Sequence, residues 1–317
     1  MTTHFSELAQ RAADDGQVSP EEVLALRRQG WGDGVIHQDE AEALFALNNS
    51  LSERSEEWCD FFVEAIGEYV LNGTKPRLQC NDSEAAWLIA QVDHDGVVDS
   101  MVELETIVRI VERAENVPVR LKNYVLEQIE REVLTGTGPT RCGGDLSATH
   151  ISSAECRILR RVIFASGGYG PAAVSRFDAE LLFRLKDATL EDENAPEWAD
   201  LFVDGVSNFL RGFTLDNAQL SHERKLELVK FVETESKGHG AFLGAMANST
   251  AGVGERIDWA IEHLKGTDGP QNDYAVDFAA GDAVTDQEQS WVDAQIDGDG
   301  QIDDLERRLI ARLAEED

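Results

Sequence analysis

Apolar residues recur at three- and four-residue intervals through most of the chain. The pattern is clearest in EEVLALRR from Glu21, EALFALNNSL from Glu42, ETIVRIVERA from Glu105, VRLKNYVLEQIEREVL from Val119, KLELVKFVE from Lys225, ERIDWAIEHL from Glu255 and LERRLIARLAEE from Leu305. That interval lines one side of a 3.6-residue turn, so each segment predicts an amphipathic helix. The alternation that would mark strands is nearly absent. Ser19, Ser152 and Thr285, the last with Glu288 three residues on, are candidate N-caps. The breaks GTGP at Gly136–Pro139 and GTDGP at Gly266–Pro270 are candidate boundaries.

The helices fall into a repeating order. Similar stretches begin at Val18, Ile151 and Val284, 133 residues apart in each case. The first and third align without a gap, placing Gln29, Asp33, Gly34, Ile36 and Glu40 on Gln295, Asp299, Gly300, Ile302 and Glu306; the middle copy has five extra residues in its loop. A second shared block sets Trp58 and Phe62 on Trp198 and Phe202, and a tryptophan and phenylalanine four apart share one helical face, which reads as core. A further copy from Asn81 places Gln91, Asp95 and Gly96 where Gln29, Asp33 and Gly34 stand. The expectation is an all-α fold of tandem helical domains with a period of about 133 residues. Its parts would be residues 1–140 (two helix-loop-helix halves), 145–272 (the same plan with degenerate loops) and a C-terminal helix-loop-helix over 280–317, packed on the second unit or on another chain.

Between helical patterns, the segment QIDGDGQIDDLE from Gln295 to Glu306 resembles the twelve-residue calcium loop of the EF-hand family. The resemblance implies oxygens converging on a hard cation, which takes six to eight of them. Asp297 and Asp299 would ligate from the third and fifth positions, Gly300 would allow the sharp turn and Gln301 would offer its backbone carbonyl. Asp303 would act directly or through water, and Glu306 would close the site with both oxygens. Gln295 stands where the family has Asp, so one charge is missing and low-to-moderate affinity follows. The loop from Gln91 resembles the family less well. Asp93, Asp95, Gly96 and Asp99 match, with Val97 at the carbonyl position, but the twelfth residue is Val102 and Glu103 comes one later. The loop from Gln29 keeps only Asp33, Gly34 and Glu40. Both better loops follow a tryptophan four residues before the glutamine, Trp87 and Trp291. The alternative is that these are vestigial loops whose acids cap helices and whose glycines make turns.

The period, with Asp33-Gly34-Val35-Ile36 and Glu40 and with Asp95-Gly96-Val97-Val98, is also similar to the tellurite-resistance TerB-like superfamily. That resemblance implies all-helical domains of two similar halves, some of which bind calcium, and a stress-related or scaffold role.

Composition narrows the function classes. A chain of 317 residues with 42% hydrophobic residues folds despite 28 Lys+Arg against 61 Asp+Glu, a net charge of −33. That charge argues against nucleic acid, whose binding rests on Lys and Arg neutralising phosphates, and against an anionic membrane surface. It suits cations, basic protein partners or simply a solvated surface. No stretch approaches 18 uninterrupted apolar residues, so no membrane insertion is expected. The first residues lack the basic start and apolar run of a secretory signal. Cys59, Cys80, Cys142 and Cys156, far apart, read as reduced cytosolic thiols. The glycine-rich Ser166–Gly170 lacks the lysine a phosphate loop needs, and no catalytic constellation is legible. The leading expectation is a cytoplasmic calcium-binding protein, acting as sensor, buffer or clamped adaptor for a protein partner. The alternatives are a metal-independent helical scaffold and an acidic mimic that occupies a basic protein.

Overall fold

The computed structural model describes residues 5, 7, 9–10, 16–30, 35–93, 96–141, 149–165, 174–211, 291–292, 294–296 and 302–315, with backbone alone at 211, 314 and 315. The chain divides into two compact parts, Met1–Gln219 together with Val284–Asp317, and Leu220–Ala283. Every described residue belongs to the first part. The second lies outside the described residues, as do KLELVKFVE, ERIDWAIEHL and the Thr285 cap.

The described residues are 73% helical and contain no strand; an isolated parallel bridge joins Gln79 and Asn116. The helices are α1 (Pro20–Gly30), α2 (Gln38–Ser50), α3 (Glu56–Asn72), α4 (Asp82–Val92), α5 (Met101–Arg113), α6 (Val119–Thr135), α7 (Ser153–Ile163), α8 (Arg176–Ala188), α9 (Glu197–Arg211) and α10 (Asp304–Glu315). None is long and apolar enough to cross a membrane. Each buries the stripe its sequence predicts: in α5, for example, Leu104, Ile107, Val108 and Val111 point inward.

Capping decides where the helices begin. Glu22 N donates to Ser19 Oγ and Ser19 N to Glu22 Oε2 (3.3 and 2.9 Å), and the pair Ser152 and Glu155 does the same (3.3 and 2.8 Å). These reciprocal bonds satisfy backbone donors that a first turn otherwise leaves open. α6 ends on Gly136, whose φ of 69° needs a residue without a Cβ.

Packing centres on α3 and α9. α3 packs on α1, α2 and α5, and α9 packs on α7, α8 and α10. Trp87 lies edge-on to Phe45 and Tyr69 (centroids 5.8 and 4.7 Å), joining α4 to α2 and α3. Trp291 lies edge-on to Phe183 and Phe209 (5.7 and 4.9 Å), joining the segment before α10 to α8 and α9. The C-terminal segment therefore packs on α8 and α9. α6 packs on α4, α5, α7 and α8.

Candidate functional site

The acids at the third position of the helices that follow each hand-like loop face inward. Glu40, Glu103, Asp178 and Glu306 are all buried. Three close a capping box: His37 N donates to Glu40 Oε2 (3.0 Å), Ser175 N to Asp178 Oδ2 (2.8 Å) and Asp303 N to Glu306 Oε2 (2.9 Å), whereas Glu103 accepts from the hydroxyl of its cap, Ser100 Oγ (2.7 Å). A buried carboxylate is tolerated only when it is paired and hydrogen-bonded, and three of these acids find the second partner in another helix. Asn48 Nδ2 of α2 donates to Glu103 Oε1 (3.2 Å). Lys122 Nζ of α6 lies 2.6 Å from Asp178 Oδ2. Lys186 Nζ of α8 lies 2.6 Å from Glu306 Oε1 and 2.7 Å from Asp303 Oδ2.

Asn48 and Lys186 occupy the same place in their helices, each eight residues after the capping acid. They solve the site differently. Asn48 Oδ1 also accepts from Trp58 Nε1 (3.2 Å) and Arg54 Nε (2.9 Å). An ammonium accepts nothing, and Trp198 Nε1, the counterpart of Trp58, is buried with no hydrogen-bond partner among the described residues.

Lys186 is 2% exposed at the side chain and also lies 2.8 Å from Asp187 Oδ1. Burial works against its charge, yet the hydrogen bonds to Asp187, Asp303 and Glu306 outweigh it and hold the ammonium well above the ordinary lysine range. A full positive charge therefore sits on the two carboxylates that would close a calcium loop.

The predicted ligands occupy unlike surroundings. Gln295 is half-buried in the helical segment before α10, Asp303 is the N-cap of α10 and Glu306 its buried third residue. Asp297, Asp299 and Gln301 lie outside the described residues, as do Asp33, Gly34 and Asp95. In the other loop Gln91 is half-buried on α4, and Asp93 caps that helix and accepts from Gly96 N (2.5 Å). Val97 is half-buried, Asp99 is exposed and Glu103 is turned inward to Asn48. Gly96 has φ of 88°, and its carbonyl accepts from Gln128 (3.2 Å) and Arg131 (2.7 Å) of α6. Among the described residues no three His, Cys, Asp or Glu side chains converge as a metal site requires. For calcium to take Asp303 and Glu306, it would have to displace Lys186.

Sequence reasoning misses Lys186, Asn48, Lys122 and Arg141, whose Nε lies 2.8 Å from the buried Glu155. A signal exists for two of them. Lys186 stands three and four residues after Phe183 and Leu182, and Asn48 likewise after Phe45 and Leu44, so both polar residues sit on the apolar stripe of their helices.

Two other features carry less chemistry. A cleft of about 690 Å3 between α1, α3 and α5 presents Arg27, Arg109 and Arg113 beside Asp60, Glu64 and Glu105. Arg27 pairs with Glu64 (2.6 Å), and Glu105 takes Arg161 (2.6 Å), so the charges largely cancel. Burial raises the Cys59 thiol and pushes those of Cys80 and Cys156 to about 12, while Cys142 lies outside the described residues. Comparison with family models, with curated proteins and with solved structures finds no match for this chain.

Proposed function

We propose that the chain is a helical protein-interaction scaffold whose hand-like loops are held closed by its own side chains. One observation carries the reading: the buried Lys186 ammonium bonds Asp303 and Glu306, the two acids that would otherwise grip a cation from the far end of the loop. The ammonium supplies the positive charge that a buried carboxylate needs, and Asn48 supplies a neutral donor at the other loop. On this reading the scaffold consists of two homologous halves, α1–α5 and α7–α10. The matching ring clusters at Trp87 and Trp291 support that division.

Calcium binding is the second reading. It is favoured by the oxygen-rich pattern of Asp297, Asp299, Asp303 and Glu306 and by the tight turn in which Asp93 accepts from Gly96 N. Tryptophan-sensitised terbium emission separates the two, because Trp87 and Trp291 lie next to the loops. The scaffold reading expects no emission that calcium competes away at millimolar metal. Emission that calcium removes, and that Asp297→Ala with Asp299→Ala abolishes, would replace it with the calcium reading.

A further inference from the structure

Glu132 and Glu155 meet at the connection between α6 and α7. Glu132 lies in the last turn of α6 and is 1% exposed, and Glu155, fully buried, is the third residue of α7. Between them stands Thr140 of the short 3-10 turn Pro139–Arg141. The Thr140 hydroxyl oxygen lies against Glu132 Oε2 and 3.2 Å from Glu155 Oε1, and Thr140 N donates to Glu132 Oε2 (2.9 Å). A hydroxyl has one hydrogen to give. With both acids ionised, one of its two carboxylate contacts sets oxygen lone pairs against each other.

The surroundings divide the two acids. Glu155 has a cation, Arg141 Nε at 2.8 Å, placed off the line of its N–H so that the pair is ionic, and Glu155 Oε2 accepts from Ser152 N (2.8 Å). It also stands at a helix start, where the peptide dipoles favour negative charge. Glu132 stands near a helix end, where they oppose it. It has no ion pair among the described residues, and the terminal nitrogens of Arg141 are taken by the His150 ring (2.9 Å) and carbonyl (2.5 Å). The charged groups of the other helices on α6 are engaged elsewhere. Asp93 of α4 accepts from Gly96 N, Glu103 and Glu105 of α5 take Asn48 and Arg161, and Asp178 and Arg184 of α8 pair with Lys122 and Glu130. Two buried carboxylates thus share one guanidinium, and a carboxylate buried without a cation takes up a proton. Burial, and after it the charge of Glu155, raise the Glu132 carboxyl above its ordinary range.

We propose that a proton on Glu132 latches this junction, and that its loss lets the turn Pro139–Arg141 come away from α6. Protonated, Glu132 donates to the Thr140 hydroxyl, which donates to Glu155, so every hydrogen in the row has an acceptor. Ionised, Glu132 faces Glu155 across Thr140 without a cation of its own. The turn yields first, because it is three residues set against the full ladders of α6 and α7. The latch is therefore closed in mild acid and loosens as the pH climbs through the window above the ordinary glutamate range.

Hydrogen exchange of the full chain, followed at the Thr140 amide by NMR and corrected for the intrinsic rate, reads the latch directly, because that N–H donates to Glu132. Opening should rise by up to about tenfold per pH unit from pH 4.5 toward pH 7 and level off once Glu132 has titrated. Glu132→Gln, which cannot ionise, should keep the amide protected across the range. Glu155→Gln removes the opposing charge and frees Arg141, so the levelling should come at lower pH. His150→Gln should leave the profile in place. Four results would each overturn the proposal: protection that does not change with pH, a rise that survives in Glu132→Gln, a rise that Glu155→Gln leaves unmoved, or one that His150→Gln abolishes, which would put the switching proton on the imidazole. The first is read on the parent chain alone, whether or not a variant folds.

Discussion

Replacing Lys186 by Met keeps most of the length and apolar stem of the side chain and deletes its charge, so the loss isolates the electrostatic role. Of its three acidic neighbours, Asp187 is 67% exposed and its pair is worth at most about 1 kcal/mol. Glu306 is the residue that would be stranded: its side chain is 2% exposed, and its remaining bond is to Asp303 N. Leaving a buried charge unpaired costs about 3–5 kcal/mol, a large share of the stability of an ordinary domain. Lys186 itself adds no pH dependence across the acid and neutral range. Its folded-state affinity for the proton is raised, so its contribution is fully present below the ordinary lysine range and is lost only as the pH climbs above it. Urea unfolding followed by tryptophan fluorescence at pH 5 and pH 7.5 measures this, with Trp198 and Trp291 as reporters. The expected order at pH 7.5 is parent, then K186M/E306Q, then K186M, with the double variant recovering most of the loss because the glutamine still accepts from Asp303 N. A loss below about 1 kcal/mol in K186M, or a double variant no better than the single, would refute the idea that a stranded Glu306 charge dominates.

The counterpart tryptophans should respond differently to truncation. Trp58→Phe removes the hydrogen bond to Asn48 and should cost about 1 kcal/mol more in urea unfolding than Trp198→Phe, which removes an unpartnered donor. Gly138 has φ of 141°, and a Cβ there would run into the Glu132 side chain, so Gly138→Ala should lower stability by about 1–3 kcal/mol, read from the urea midpoint. Burial raises the Glu132 carboxyl despite its bonds from Thr140, and Glu155 raises it further. An acid whose folded-state affinity for its proton is raised favours the fold when protonated, so this contribution falls as the pH rises through the window above the ordinary glutamate range. Glu132→Gln should therefore flatten the loss of stability between pH 4.5 and pH 7, read as urea midpoints across that range.

The helices were legible because what makes them is local. The interval of Leu104, Ile107, Val108 and Val111 is printed in the chain, and so are the caps Ser19 with Glu22 and Ser152 with Glu155. The loops were legible only as patterns of oxygen. Glu306 and Glu103 stand where a calcium loop closes, and they stand equally where a capping box closes, since both need an acid in the first turn after the loop. The residue that tips Glu306 toward an internal cation lies 120 positions away, in α8. Of Asp297 and Asp299 the described residues say nothing.

The amino-acid sequence by itself determined that this chain is helical, where its helices start and which side of each turns inward, because periodicity and capping act within a few residues. Tertiary structure alone decided where the C-terminal helix packs and which buried acid meets an asparagine and which a lysine. It also decided that Ile107 is covered while Ile310 keeps solvent exposure among the described residues. Each of these depends on which helix lies alongside, and a stripe of apolar residues states that it needs a neighbour without saying whether the chain provides one.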